Sequence, residues 1–143
     1  MSASVIVASP IRVRYKDTDT MGVVYYGNYL TYFEVGRVEY LRHQGMTIAQ
    51  INDTLWIPVV EAAVKYVKAA RLDELLEVRC WIGERRRASF RFEYEIVNGA
   101  GERVATGSTL HACQDPASGK LVAVPPWLLA LILETETGKT GSV

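Results

Sequence analysis

The sequence predicts an α+β fold in which an antiparallel sheet of about five or six strands wraps around one long central helix. Two observations carry this prediction. An amphipathic segment of about fifteen residues, 29–43, lies early in the chain. Most of the chain between residue 56 and the tail alternates or is rich in β-branched and aromatic residues, with short turns between. Consecutive strands joined by short turns favour an antiparallel sheet, which must cover the apolar face of the helix.

Length and composition fit one soluble domain. The chain has 143 residues, of which 49% are hydrophobic and 22% charged. We expect a single domain over 1–143, with its core at about 8–130 and a flexible C-terminal tail at about 135–143. Lys+Arg and Asp+Glu both number 16, so there is no general basic surface for nucleic acid. No signal-peptide pattern and no long apolar run is present, which predicts a cytoplasmic protein without a membrane span.

The N-terminal part reads as a strand, a loop and two helices. Apolar and basic residues alternate within 4–16, as expected for a half-buried strand: Ile11, Val13 and Tyr15 against Arg12, Arg14 and Lys16. Asn28 is placed to cap the helix 29–43, and Gly45 to end it. A short second helix is predicted at 47–52.

The remaining chain reads as sheet followed by a C-terminal helix. Pro125 and Pro126 introduce that helix, predicted at 127–134. One sheet against one helix leaves an edge or a face uncovered, which favours dimerisation. The predicted strands are 56–68, 76–82, 89–96, 103–113 and 120–124, with a basic turn at 83–88.

Two carboxylates, Asp17 and Asp19, lie in the loop that precedes the helix. A helix start offers unpaired backbone N–H groups, and carboxylate chemistry beside such donors suits the cleavage of an acyl group. Gly22 and Gly27 let the backbone approach a ligand closely. From the residues alone, a structural role of both carboxylates in turns and caps stays open beside catalysis.

The cysteines and histidines are predicted to have structural roles. The thiols of Cys80 and Cys113 fall in predicted strands, without metal-ligand spacing to either histidine. His43 at a helix end suits the helix dipole, and His111 in a strand is expected to be neutral and hydrogen-bonded. The chain has no Gly-x-Ser-x-Gly elbow. We therefore expect no metal site and no cofactor.

A long, gapless motif resembles the signature of the 4-hydroxybenzoyl-CoA thioesterase branch of the hotdog-fold superfamily. That branch includes the short-chain acyl-CoA thioesterases of the Tol-Pal-associated type. The resemblance implies a hotdog fold over about residues 8–130 and hydrolysis of a short-chain or aromatic acyl-CoA to the free acid and coenzyme A. The motif is Asp17-Thr-Asp19-x-x-Gly22-Val-Val-Tyr-Tyr-Gly-Asn28-Tyr-Leu-x-x-Phe33-Glu34-x-x-Arg37.

The resemblance separates the two carboxylates. The second acidic residue of the motif is catalytic in the family, which implies that Asp19 acts as nucleophile or as general base, while Asp17 shapes the turn. The backbone N–H groups of Tyr26 and Gly27 would polarise the thioester carbonyl. Some short-chain members have His at the position of Tyr26, and this chain departs from that pattern.

The resemblance also assigns substrate contacts and an assembly. Glu84-Arg-Arg-Arg-Ala-Ser-Phe90 is similar to the family's basic segment that meets the coenzyme A nucleotide, and Arg side chains suit phosphate recognition. Homodimers that assemble into a homotetramer are implied, with active sites at the dimer interface. The implied substrate-binding residues are Val24, Tyr25, Tyr29, Arg86, Arg87 and Ser89.

The sequence leaves two other functions open. A hotdog enoyl-CoA hydratase or dehydratase would need a histidine paired with a carboxylate, and no His lies in the loop 17–28. A non-catalytic acyl-CoA-binding protein would be stabilised by its ligand without releasing thiol. The carboxylate of Asp19 argues against this second alternative.

Overall fold

The structure, a computed structural model, describes residues 5–132. The predicted C-terminal tail, 135–143, lies outside the described residues. Within the described range, the helices are α1 (Tyr29–Gln44), α2 (Ile48–Asn52) and α3 (Pro126–Leu131). The strands are β1 (Val7–Arg12), β2 (Val59–Tyr66), β3 (Leu75–Arg85), β4 (Ser89–Val97), β5 (Arg103–Gln114) and β6 (Leu121–Val122).

The strands form one six-stranded antiparallel sheet in the order β1-β3-β4-β5-β2, with β6 also paired to β5. Its register defines two ends. At the hairpin end lie the β3–β4 turn, residues 86–88, and the start of β2, where Val59 pairs with His111. At the loop end lie the start of β3 and the end of β2, where Tyr66 pairs with Ala105. The predicted fold class is confirmed.

Helix α1 packs on one face of the sheet. The ring of Phe33 stacks on Tyr94 of β4, with centroids 4.3 Å apart. A Cβ atom added to Gly36 would lie 2.7 Å from Cγ1 of Val78, so this glycine permits close contact between α1 and β3. Along β4 the predicted alternation is confirmed, because Phe90, Phe92, Tyr94 and Ile96 are all buried.

The first strand is shorter than its alternation predicts. It ends at Arg12, and Tyr15 is 83% exposed rather than facing the core. The reason is a 3-10 turn at Tyr15–Asp17, in which the carboxylate of Asp17 accepts a hydrogen bond from the Arg14 N–H at 3.0 Å. This turn redirects the chain into the loop before α1.

Two further expectations need correction. Asn28 does not cap α1 with its side chain, because its Nδ2 donates to the Asp17 carbonyl at 2.8 Å instead. The predicted basic turn at 83–88 is partly strand: β3 continues to Arg85 past a register shift, and the Arg86 N–H bonds Ser89 O at 2.8 Å to close the hairpin.

A buried polar chain crosses the core from helix α1 to the segment before β2. Nδ1 of His111 lies 2.8 Å from the carbonyl of Ile57, which can only accept, so Nδ1 carries the proton. Nε2 must then accept from Thr109 Oγ1 at 2.8 Å, and Thr109 in turn accepts from the Tyr94 hydroxyl at 2.6 Å. Arg37 donates to that hydroxyl at 3.4 Å. His111 is neutral and satisfied, and burial lowers its pKa from 6.5 to about 4.

We expect this histidine to make the fold sensitive to acid. As the pH falls below about 6.5, His111 becomes protonated in the unfolded chain, whereas in the folded chain it stays neutral until about pH 4. The free energy of unfolding therefore decreases as the pH falls through that window. The full loss is about 3 kcal/mol, from about 1.4 kcal/mol per pKa unit. Denaturant unfolding at pH 7 and pH 5 should show a smaller decrease for His111→Gln than for the wild type. Equal decreases would contradict the prediction.

Candidate active site

The loop between residues 18 and 24 is a tight hairpin that presents Asp19. The N–H of Asp19 donates to Val23 O at 2.9 Å, and the N–H of Gly22 donates to Asp19 O at 3.0 Å. Gly22 has a φ of +77°, a conformation that L residues rarely adopt, so glycine suits this turn. The hairpin is anchored to the loop end of the sheet by the bond from the Val24 N–H to Ala70 O at 2.9 Å.

The carboxylate of Asp19 is half-buried and only partly engaged. Its Oδ1 accepts from the N–H of Met21 at 2.8 Å, which fixes the side chain in an Asx turn. Among the described residues, its other oxygen accepts no hydrogen bond from the protein. That oxygen is available to a water molecule or to an electrophilic carbon.

Asp17 makes more hydrogen bonds to the loop than Asp19 does, although its Oδ1 also accepts none among the described residues. Its Oδ2 accepts from the N–H of Arg14 and from the hydroxyl of Tyr32, both at 3.0 Å. Its carbonyl accepts from the N–H of Tyr25 at 2.9 Å and from Asn28 Nδ2 at 2.8 Å. Burial and the contact with Asp17 raise the pKa of Tyr32, so this phenol stays a donor. These contacts are those of a residue that shapes the turn.

The helix start offers backbone donors close to this loop in sequence. A 3-10 turn, Tyr26–Asn28, runs directly into α1. The first N–H groups of such a helical segment, those of Tyr26 and Gly27, have no partner within the helix. The carbonyl of Tyr25 is held by the Asn28 N–H at 2.9 Å. The turn can therefore present two N–H groups to an anionic oxygen.

A cavity of about 260 Å³ adjoins the helix start. Val24 and Tyr29 are buried in its wall, whereas the exposed ring of Tyr26 stands at its mouth. Tyr25 is 46% exposed and packs on Tyr26, with ring centroids 4.5 Å apart, but does not line the cavity. The complete lining is Val24, Tyr26, Tyr29, Tyr66, Val67, Lys68 and Ala69.

Tyr66 is a site residue that sequence reasoning missed. Its hydroxyl donates to the carbonyl of Tyr26 at 3.0 Å, and its ring packs against Tyr29 with centroids 5.4 Å apart. The bond joins residues 40 positions apart. No local sequence pattern predicts this contact, because it forms where the helix start packs against the end of β2.

The predicted nucleotide contacts lie on the β3–β4 turn at the hairpin end. Arg86 is exposed and pairs with Glu84 at 3.0 Å, and hydrogen bonds from Arg91 and Arg86 lower the pKa of Glu84. Arg87 is exposed, and its carbonyl accepts from the Val124 N–H at 2.9 Å. Ser89 is half-buried.

One chain does not bring these arginines to Asp19. Strand β3 is 11 residues long, so its two ends lie roughly 33 Å apart at about 3.3 Å per residue. The loop of Asp19 packs at one end of this strand and Arg86 lies just beyond the other. A single site that uses both therefore needs a second chain.

The described residues, 5–132, contain neither a metal-binding cluster nor a membrane-spanning helix. No group of three or more His, Cys, Asp or Glu side chains there could hold a metal ion. No helix in that range is long and apolar enough to cross a membrane. Both cysteines are free and buried, and burial raises the pKa of Cys113 to about 11.

The sequence and the fold match those of known thioester hydrolases. The model of the thioesterase-like superfamily matches residues 13–132. An acyl-CoA thioester hydrolase, YbgC, of Escherichia coli O6:H1 is 35% identical over 122 residues, 85% of this chain and 91% of that protein. A putative acyl-CoA thioesterase, YneP, of Bacillus subtilis is 34% identical, over 82% of this chain and 88% of its own length.

The solved structure of a thioesterase is also similar to this chain. The DHNA-CoA thioesterase of Staphylococcus aureus superposes with a TM-score of 0.82 at 34% identity, covering 87% of each chain. The chain belongs to the thioesterase-like superfamily.

Proposed function

We propose that this thioester hydrolase cleaves an acyl-CoA with a short-chain or aromatic acyl group, acting as a single domain in the cytoplasm. The observation that carries the proposal is the carboxylate of Asp19, which keeps one oxygen free on a loop that leads directly into the helix start at Tyr26. The names of the relatives, acyl-CoA thioester hydrolase and acyl-CoA thioesterase, support the reaction.

The chemistry follows from these groups. The free oxygen of Asp19 either attacks the thioester carbon, forming a mixed anhydride that water then hydrolyses, or takes a proton from the attacking water. In both routes the carbonyl oxygen becomes negative and the N–H groups of Tyr26 and Gly27 stabilise it. The C–S bond breaks, coenzyme A leaves as the thiolate and takes a proton, and the acid is released.

We further propose a homodimer formed through β2. This strand is an edge of the sheet, eight residues long, and its residues are exposed except for the half-buried Val64. A long uncovered edge with apolar side chains, such as Val60 at 54% exposure, readily pairs with another strand. The other edge, β1, is shorter and contains Pro10, which cannot donate to a ladder.

The symmetry of such a dimer would complete the site. Two copies of β2 related by a two-fold axis perpendicular to the sheet run antiparallel. The hairpin end of one protomer then lies beside the loop end of its partner. Arg86, Arg87 and Ser89 of one chain would thereby approach the loop of Asp19 in the other, where they could meet the nucleotide of coenzyme A.

We also propose that two dimers form a homotetramer. The face of the sheet opposite α1 carries Trp81, which is half-buried, beside a groove of about 370 Å³. Ion pairs of Arg79 and Arg103 with Glu95 order this face. Sedimentation velocity would distinguish a tetramer from a dimer.

The direct test is thiol release from a panel of acyl-CoA esters that spans short aliphatic and aromatic acyl groups. We expect turnover with at least one class, and the ratio of kcat/KM values across the panel identifies the acyl group. Hydration of an enoyl-CoA without thiol release would contradict the proposal. So would thermal stabilisation by every ester without thiol release.

A further inference from the structure

The carbonyl of Tyr26 is held from two sides. It accepts from the N–H of Tyr29 within the helical turn and from the hydroxyl of Tyr66, which reaches it from β2 at 3.0 Å. The ring of Tyr66 is itself positioned by edge contacts with Tyr29 and Tyr26, at centroid distances of 5.4 Å and 6.4 Å. A side chain of the sheet is therefore bonded to a specific peptide group of the helix start.

That peptide group is the one that carries the N–H of Gly27. The C=O of Tyr26 and the N–H of Gly27 belong to one planar trans peptide, in which they point in opposite directions. Fixing the carbonyl fixes the direction of the N–H. A hydrogen bond accepted by the carbonyl also polarises the peptide, which makes its N–H a stronger donor.

The N–H of Tyr26, the first in the turn, is held in place by a main-chain hydrogen bond and not by a side chain. It belongs to the peptide that joins Tyr25 and Tyr26, whose carbonyl accepts from the Asn28 N–H of the main chain. Among the described residues, only the second peptide accepts a hydrogen bond from a side chain of another element. Tyr66 is 50% exposed in the single chain and is the last residue of β2. Pairing of the β2 edges would shield its bond from water and strengthen it.

We propose that Tyr66 is a positioning residue for the oxyanion donor at Gly27. This inference rests on the proposed function, since it assigns a role within the same site. Tyr66 would not contact the reacting atoms. It would act through the peptide of Tyr26 and Gly27 and would affect the transition state, in which the carbonyl oxygen is negative, more than the bound substrate.

The test compares Tyr66→Phe with Tyr15→Phe. The first removes the bonded hydroxyl and keeps the ring, whereas the second removes a phenol that is 83% exposed and whose hydroxyl makes no hydrogen bond among the described residues. We expect Tyr66→Phe to lower kcat about 3- to 10-fold with KM within about twofold, less than the loss of a whole oxyanion donor. Tyr15→Phe should leave both constants unchanged.

A second measurement does not depend on turnover. The infrared carbonyl stretch of an acyl-CoA bound to Asp19→Asn should shift to lower frequency than in water, because the N–H donors polarise the bond. The shift should be smaller in the variant that combines Asp19→Asn with Tyr66→Phe. Equal shifts in the two variants would overturn the role of Tyr66.

The outcomes separate the two proposals. If the wild type releases no thiol from any ester, the proposed function fails, and the role of Tyr66 fails with it. If the wild type is active and Tyr66→Phe has the kcat of Tyr15→Phe, only the role of Tyr66 is overturned. A rise in KM at unchanged kcat would likewise assign Tyr66 to ground-state binding and overturn the proposal.

Discussion

Replacing Asp19 by Asn is expected to lower kcat for acyl-CoA hydrolysis by about 10²- to 10⁴-fold, the range for a group that acts directly on the reacting atoms. The amide can still accept the bond from the Met21 N–H that orients the side chain. It cannot act as a carboxylate nucleophile or take a proton from water. Steady-state thiol release measures the effect, and circular dichroism checks that the fold is retained.

Asp17→Asn is the matched control, because it makes the same chemical change two residues away. Its amide oxygen can still accept from Arg14 and Tyr32, so we expect kcat within about tenfold of the wild type, well short of a catalytic loss. Full turnover by Asp19→Asn, or a larger loss with Asp17→Asn than with Asp19→Asn, would show that the roles are assigned wrongly.

Replacing both Arg86 and Arg87 by Ala is expected to raise KM for coenzyme A esters roughly 10- to 100-fold, from the loss of charge-assisted bonds to phosphate. The two side chains are exposed and distant from Asp19 in their own chain, so kcat should change little. Thiol release at varied ester concentration separates the two constants.

Pantetheine thioesters provide the control substrate, since they lack the nucleotide. Their KM should be nearly unchanged in the double variant. Arg42→Ala, which removes an exposed arginine paired with Glu39 on α1, controls for loss of surface charge. If KM rises equally for both substrates, the arginines do not contact the nucleotide.

The central helix and the sheet could be predicted because their signals are local. The alternation of β4, from Phe90 to Ile96, reports directly which side chains are buried, and six strands lie within the predicted number. The loop of Asp19 could also be located, since its carboxylates and glycines stand before an amphipathic helix. The family resemblance then supplied the reaction, which the residues alone leave open.

The sequence predictions are wrong where a hydrogen bond of one side chain outweighs the structure that the local residue pattern favours. The alternation at residues 11–16 continues past the strand, but the carboxylate of Asp17 turns the chain and exposes Tyr15. Asn28 is of a residue type that often caps helices, yet its amide donates a hydrogen bond to the carbonyl of Asp17. Tyr66 was missed because its contact with Tyr26 depends on the packing of the helix start against the end of β2, which no local sequence pattern predicts.

In the proposed dimer, one active site combines Asp19 of one protomer with Arg86 and Arg87 of its partner. This arrangement is tested by co-refolding Asp19→Asn protein with the Arg86→Ala/Arg87→Ala protein and measuring thiol release at low ester concentration. In a mixed dimer built as proposed, one site carries both changes and the other carries none.

Random pairing should therefore restore activity to about one quarter of the wild-type value, since half of the dimers are mixed and each has one intact site. If Asp19 and the arginines of the same chain formed the site, every site would carry a defect. The mixture would then be no more active than the two variants measured separately, which would contradict the claim.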